Sequence, residues 1–256
     1  RSYQPYFLRG YVEIMKAYYH SINTFGTVDG PGIRYLLFLA GCNLGCSFCH
    51  NPDTWVKTGK TISVEEIIEE IQKYRVFYDK SGGGITVSGG EPLLQAEFVN
   101  ALFAKCKELG IHTALDTGGF FAQAELDKVL PNTDLIMFSL KAADEDVHRR
   151  LTGKDNALIL QNLFYAASRT QLILRYVVIP SVNDSENALA KLADVLKKLP
   201  ANVKIDLLPY HSMGKAKWQM LEIPYKLNSV PDATKNDIQR VKNFFIKAGI
   251  NNDYVG

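Results

Sequence analysis

The sequence has little cysteine, no dominant charge and no long apolar stretch. It holds four cysteines in 256 residues, and three of them crowd into residues 42–49. That is too few and too close for the disulfide framework of a small secreted domain, and it suits a metal centre in a reducing compartment. The 29 Lys and Arg nearly cancel the 27 Asp and Glu, leaving +2, so there is no electrostatic footprint for nucleic acid. The longest uninterrupted apolar run, residues 35–40, falls far short of the about 18 residues that suggest a membrane span. The first twenty residues carry scattered charges and no apolar h-region and do not read as a signal peptide, and a cytoplasmic address is expected. The chain does not begin with Met. Residues 1–19 are expected to be an N-terminal extension or a cloning remnant, ahead of one domain over residues 20–256. Internal repeats, low-complexity tracts and linkers rich in Pro, Gly or Ser are all lacking.

What remains is the composition of an ordinary globular protein, 46% hydrophobic and 22% charged. A core of that size needs no metal to fold, so a metal site in it is functional rather than structural. Short apolar runs read as buried parallel strands at residues 33–39, 85–88, 112–116, 135–140, 172–179 and 203–208. Helical patterns separate them. Ser63 and Glu66 have capping-box spacing, followed by an apolar face of Ile67, Ile68, Ile71, Tyr74 and Tyr78. Further faces are Phe98, Leu102, Cys106 and Leu109; Leu158, Leu160, Leu163 and Phe164; Leu189, Leu192, Val195 and Leu196; and Ile238, Val241, Phe244 and Phe245. About six β-α units result, short of the eight that close a TIM barrel. A doubly wound open sheet competes, and pattern alone does not choose between them. The expected fold is α/β, a single domain forming a partial (β/α)6 TIM-like barrel with parallel strands. In either topology ligands gather at the C-terminal strand ends.

Directly after the first of these strands lies GCNLGCSFCHN, residues 41–51, with Cys42, Cys46 and Cys49 spaced C-x3-C-x2-C. A [4Fe–4S] cluster normally takes one cysteine per iron, so three thiolates leave one iron open to a substrate or cofactor. Structural zinc wants four ligands, and His50 beside Cys49 makes a poor fourth. A redox pair at Cys46 and Cys49 would not need Cys42. Cys106 sits on an apolar helix face and reads as core. The Gly89-Gly90-Glu91 turn follows the second strand, where bare backbone lets a ligand approach; the competing reading is a tight βα turn. Residues 84–91 are not a P-loop, because Gly90 and Glu91 stand where Lys and Ser or Thr are required.

C-x3-C-x-aromatic-C, with Phe48 as the aromatic, resembles the signature of the radical S-adenosylmethionine (SAM) enzymes. NTFGTVDGPGIR at 23–34, CHNPDTW at 49–55, SGGGITVSGGEPLLQAE at 81–97 and LLPYHSMGKAKW at 207–218 extend the likeness over roughly residues 20 to 250. They narrow it to the glycyl-radical-enzyme activases. The resemblance implies that Cys42, Cys46 and Cys49 hold a [4Fe–4S] cluster and that the SAM methionine chelates its open iron. One-electron cleavage of SAM then yields a 5′-deoxyadenosyl radical, which takes a hydrogen atom from a glycine of a partner protein. It implies SAM contacts from Phe48, His50, Asn51, Gly89, Gly90, Glu91, Lys141, Arg175 and His211, and a monovalent cation at Asp116 and Thr117.

Two departures stand out. The family's Asp-Thr-Asn-Gly reads DTGG at 116–119, and its Leu-Asp-Leu-Lys reads FSLK at 138–141. Ser139 therefore replaces a carboxylate expected at both the cation and the SAM amino group, and the cation site is expected to be weak or absent. Asp29 reads as a turn former, though the family uses its loop and residues 209–218 to hold the partner's glycyl loop. Trp55 and Trp218 read as packing residues.

Many activases of other glycyl radical enzymes carry extra ferredoxin-like cysteines. Here only Cys106 is spare, which favours pyruvate formate-lyase as the partner, with flavodoxin or ferredoxin as electron donor and the chain acting as a monomer. The alternatives are an activase of a different glycyl radical enzyme, a small-molecule radical SAM enzyme, or a non-catalytic metal-binding module that would be colourless with zinc.

Overall fold

Most of the apolar runs become strands largely buried on both faces, as parallel strands flanked by helices are, whereas the last, Lys204–Pro209, is buried only at Ile205 and Leu207. A computed structural model describes residues 15–250 and 254–255. In chain order it contains β1 (Lys16–Gly26), β2 (Arg34–Leu39), β3 (Lys60–Ser63), α1 (Val64–Ser81), β4 (Gly84–Gly89) and α2 (Ala96–Glu108). These are followed by β5 (His112–Thr117), α3 (Gln123–Val129), β6 (Leu135–Ser139), α4 (Glu145–Thr152), α5 (Ala157–Ala167) and β7 (Gln171–Val178). The chain continues through α6 (Glu186–Leu196), β8 (Lys204–Pro209), α7 (Lys215–Met220), α8 (Lys235–Lys247) and β9 (Tyr254–Val255).

The strands form one nine-stranded sheet in the order β3-β1-β2-β4-β5-β6-β7-β8-β9. From β2 to β8 the spatial order follows the chain order and every pairing is parallel. A doubly wound sheet needs a reversal of strand order, and there is none in this stretch. The topology is therefore a partial barrel of six parallel strands, each ending at the same mouth. The edge strands β3 and β9 do not pair with each other, so the barrel stays open.

The sequence reading missed β1, an antiparallel partner of both β2 and β3. Lys16 to Tyr19 pair with Ser63 to Lys60. The boundary expected after residue 19 is therefore corrected: residues 16–19 belong to the sheet. The rest of that segment, residues 1–14, lies outside the described residues.

The capping box of α1 forms as the spacing predicts: Glu66 N–H donates to Ser63 Oγ at 3.2 Å and Ser63 N–H to Glu66 Oε2 at 2.7 Å. Ile67, Ile71 and Tyr78 are buried, with Ile68 and Tyr74 half-buried beside them. On α2, Phe98, Leu102 and Cys106 are buried, and Cys106 is a core residue whose thiol burial pushes up to about 12. On α6 all the marked residues are buried.

One face differs. The buried side of α5 is Ile159, Asn162, Leu163 and Ala166, while Leu158 is only half-buried. A polar residue holds that position because Asn162 Nδ2 donates to the carbonyls of Gly119 and Phe121, both at 2.9 Å. Apolar periodicity does not register a buried amide that ties a helix to the loop after β5. Asn162→Ala is expected to cost about 2–4 kcal/mol, through two unpaired carbonyls and a small void. Urea unfolding reads this directly, and an unshifted midpoint would contradict it.

Candidate functional site

At the mouth where the parallel strands end, one cavity of about 580 Å³ gathers every site residue marked in the sequence, from Cys42 through His211. The triad loop leaves β2, and its ends are tied back to the chain that follows. Gly41 N–H donates to the Thr54 carbonyl at 2.7 Å and Cys42 N–H to the Trp55 carbonyl at 3.0 Å. Cys49 N–H closes a turn on the Cys46 carbonyl at 3.0 Å. All the cysteines are free thiols. Burial raises Cys42 and Cys49 above the ordinary thiol and pushes Cys46 up to about 12; the Lys141 ammonium opposes this at all three.

The glycines at the end of β4 meet a packing demand that the sequence did not show. A Cβ on Gly89, whose φ is +118°, would stand 2.2 Å from the Leu39 carbonyl oxygen, and one on Gly90 would stand 2.0 Å from that of Gly41. Both positions are therefore bare because two strand ends touch. They line the cavity, but the backbone approach that demands glycine is internal.

The Glu91 side chain is likewise occupied. Its carboxylate accepts from Thr117 Oγ1 at 2.9 Å, Gly118 N–H at 3.0 Å and Leu93 N–H at 3.2 Å. It joins the loop after β4 to the loop after β5. Burial pushes it up to about 7, against those same hydrogen bonds.

Arg175 is 9% exposed and is not a solvated cation. Its Nε donates to Asp206 at 3.1 Å, its Nη2 to the Val28 carbonyl at 3.0 Å, and its Nη1 lies 3.7 Å from Asp116 and 3.8 Å from Asp29. Burial works to lower it, but Asp116, Asp206 and Asp29 hold it above the ordinary guanidinium. For Asp29, burial and Asp116 together raise the carboxyl, with Arg175 opposing. Thr86 Oγ1 also donates to the Asp29 carbonyl at 2.7 Å, and the buried Arg34 donates to Thr86 Oγ1 at 2.9 Å. Asp29 thus sits in a loop pinned from both walls of the barrel, which turn chemistry alone did not foresee.

Lys141 donates to Ser139 Oγ at 2.5 Å and lies 5.9 Å from the centre of the Phe48 ring. Asp116 accepts from Ser88 Oγ at 2.8 Å, a partner the sequence did not mark. His50 and His211 stack with ring centres 4.2 Å apart, and His50 Nε2 lies 3.2 Å from the His211 carbonyl. Burial lowers His50, favouring the neutral ring. His211 Nδ1 is buried with no partner. Asn51 accepts from Lys217 at 2.9 Å.

The cavity thus joins free thiols, a cation, a carboxylate and an orphaned imidazole nitrogen. Those are the donors that an iron–sulfur cluster and a zwitterionic amino acid require. Among the described residues no three His, Cys, Asp or Glu side chains close on a single metal ion. A cluster makes a different demand, because each thiolate meets its own iron.

The model of the radical SAM superfamily matches residues 36–193. A pyruvate formate-lyase-activating enzyme of Listeria monocytogenes is 43% identical over 232 residues, covering 88% of this chain and 93% of its own. A pyruvate formate-lyase 1-activating enzyme of Escherichia coli is 42% identical over 234 residues, covering 90% and 95%. Among solved structures, a domain of the pyruvate-formate lyase-activating enzyme of Bacteroides vulgatus is 29% identical with a TM-score of 0.56, covering 68% of this chain and 99% of that one. A radical SAM methyltransferase of Sphaerobacter thermophilus shares the fold at 19% identity and TM-score 0.63, covering 90% and 71%. The chain belongs to the radical SAM superfamily and, within it, to the family of pyruvate formate-lyase-activating enzymes.

The Glu91 bridge yields a pH dependence. A folded-state value of about 7 lies above that of an ordinary glutamate, so the native protein binds the proton more tightly than the unfolded chain. The stabilisation is complete at acid pH and is lost as pH rises through 7. Relative to Glu91→Gln, the wild type is expected to lose on the order of 2–3 kcal/mol between about pH 5 and pH 8. Urea midpoints across that range check it, and a pH-independent difference would contradict it.

Proposed function

We infer that this chain installs the glycyl radical of pyruvate formate-lyase. The observation that carries the reading is that three free thiols share one cavity with Lys141, Asp116 and His211, in a chain 43% identical to an enzyme of that name. Radical SAM membership brings a [4Fe–4S] cluster and SAM, and the residues present fit both. Cys42, Cys46 and Cys49 would hold the cluster. When bound, cluster and SAM together supply a one-electron reductive cleavage that ends with a hydrogen atom removed from the partner's glycine and 5′-deoxyadenosine formed.

The chain's own residues orient and enclose. Lys141 is placed to take the SAM carboxylate as a charge-assisted bond. Asp116 and the backbone at Gly89 and Gly90 face the amino group, while His50, Asn51 and Phe48 border the adenosine side. Glu91 and Thr117 act at one remove by fixing the β4 and β5 loops. Arg175 holds Val28 and Asp29, and with residues 209–218 this loop is proposed to grip the glycyl segment. His211, with its unpartnered nitrogen, lies where the substrate glycine would enter.

The cysteine count supports pyruvate formate-lyase over other glycyl radical enzymes. The one spare cysteine, Cys106, is fully buried in α2 and leaves nothing for a second cluster. Flavodoxin or ferredoxin is the proposed electron donor and a monomer the proposed working form. Among the described residues no helix is long and apolar enough to cross a membrane.

Anaerobic protein, reduced and mixed with SAM and pyruvate formate-lyase from the same source, should give a glycyl-radical doublet in the electron paramagnetic resonance spectrum and stoichiometric 5′-deoxyadenosine. 5′-Deoxyadenosine without the doublet would assign the chemistry to a different substrate. Cys46→Ala should lose cluster and activity together, and Cys106→Ala should keep both. Retained SAM cleavage in the Cys46 variant would refute the ligand assignment.

Ser139 gives a separate expectation. With a hydroxyl in place of a carboxylate, SAM binding should be equal in potassium and in tetramethylammonium buffers. Ser139→Asp should introduce a several-fold preference for potassium, measured by equilibrium dialysis. A strong preference already present in the wild type would contradict this.

A further inference from the structure

In the proposed reaction the electron arrives while SAM and the partner's glycine fill the mouth of the barrel, so its donor needs another side to approach from. The structure offers one behind the triad loop. Cys42 N–H donates to the Trp55 carbonyl at 3.0 Å, and that carbonyl carbon is bonded to the nitrogen of Val56, which is 64% exposed. One peptide bond and one hydrogen bond thus join an exposed residue to the backbone of a ligand. The alternatives are poorer docking sites. The Cys49 carbonyl accepts from Trp218 Nε1 at 2.7 Å, but Trp218, on α7, is 2% exposed. Gly45, bonded to Cys46, is exposed but has no side chain with which to hold a partner.

The surface around Val56 is assembled from separate segments. A Cβ on Gly41 would lie 3.2 Å from Lys57 Cβ and 3.8 Å from Leu94 Cδ1, so both side chains border the backbone just ahead of Cys42. Gln95 accepts from Tyr18 N–H at 2.9 Å and donates to the Ala40 carbonyl at 3.0 Å, which brings Tyr18 alongside. Lys60 pairs with the next residue, Tyr19, at the sheet edge. Tyr18, Val56 and Leu94 are exposed apolar side chains, and Lys57 and Lys60 are exposed cations. Among the described residues neither lysine has a carboxylate partner. Asp53, Glu66 and Glu97 are already engaged, by Lys217, by the α1 cap and by Lys128. None of the five side chains lines the cavity. An apolar centre with unpaired charge of one sign beside it suits a transient partner of the opposite charge.

We propose that this face receives the electron donor, a low-potential one-electron carrier protein with carboxylates around its redox group. Lys57 and Lys60 attract and orient it, and the electron passes through the Trp55 carbonyl and the Cys42 N–H. The carrier loses one electron and the cluster gains it; no bond forms or breaks and no proton moves. The inference rests on the reading that Cys42 holds the cluster.

The test uses the full chain, anaerobically loaded with iron and sulfide, with flavodoxin from the same source as the carrier. Stopped-flow absorbance follows reduction of the cluster, first by reduced flavodoxin and then by dithionite, a small reductant that needs no docking surface. A variant carrying both Lys57→Glu and Lys60→Glu should be reduced by flavodoxin at least about tenfold more slowly at low salt. The difference should shrink between about 0.02 and 0.3 M salt, as the charges are screened. Its iron content and its reduction by dithionite should be unchanged. Lys154→Glu, at an exposed cation over Phe120 beside Asn43 of the triad loop, should leave the flavodoxin rate in place. An unchanged flavodoxin rate in the double variant, an equal loss with dithionite, or an equal loss in Lys154→Glu would overturn the inference. A double variant that is reduced normally by flavodoxin but no longer binds pyruvate formate-lyase would assign the face to the lyase instead. A wild type that assembles no cluster would overturn the cluster reading itself. A cluster that flavodoxin reduces but that puts no radical on the lyase would overturn the proposed function and leave the docking face standing.

Discussion

Burial holds the protons on Cys42, Cys46 and Cys49, and the rest of the site is arranged around what takes those protons away. Three thiols packed at one cavity in apolar surroundings are inert as nucleophiles. They become ligands only when a strongly positive group replaces the protons, so occupancy of the site and its electrostatics are linked. Lys141 supplies part of the counter-charge from across the cavity, with its ammonium on a hydroxyl rather than a carboxylate. The charge it keeps is then free for a ligand.

The scaffold makes such a site possible by sending every central strand to the same mouth. Sequential parallel order brings the ends of β2, β4, β5, β6, β7 and β8 together without a crossing. Close contact is needed there, and it is achieved by omission at Gly89 and Gly90 and by a buried carboxylate at Glu91. Neither feature is chemical in the sense of reacting. Both fix the loops that carry the groups which do. Arg175 has the same character, holding Asp29, Asp116 and Asp206 about one guanidinium so that the loop at residues 27–32 lies against the barrel.

The central strands were legible because strands buried on both faces are nearly continuous apolar runs, and the triad was legible because cluster ligands must be close in sequence to share a loop. β1 was not, since only Ala17 and Gly26 of it are buried and its middle, residues 20–24, is mostly polar; β3 and β9 are too short to carry a pattern. The residues marked by motif line one cavity, but their partners were not foreseen. Cys49 and Trp218 are 169 residues apart, and nothing in either segment announces the other. The same limit hid a second reason for glycine at Gly89 and Gly90, whose closest neighbours lie on a different strand. It also hid Asn162, whose polar side chain breaks an otherwise apolar face for the sake of two carbonyls.

The central claim is that three cysteines hold a cluster with one iron left for SAM. The most direct measurement is the Mössbauer spectrum of protein loaded with iron-57 and sulfide, recorded before and after SAM is added. The iron that has no cysteine should change its spectrum when SAM binds, and the cysteine-bound irons should not. Irons that remain indistinguishable with SAM bound, or a protein that takes up a single tetrahedral metal and no sulfide, would contradict it.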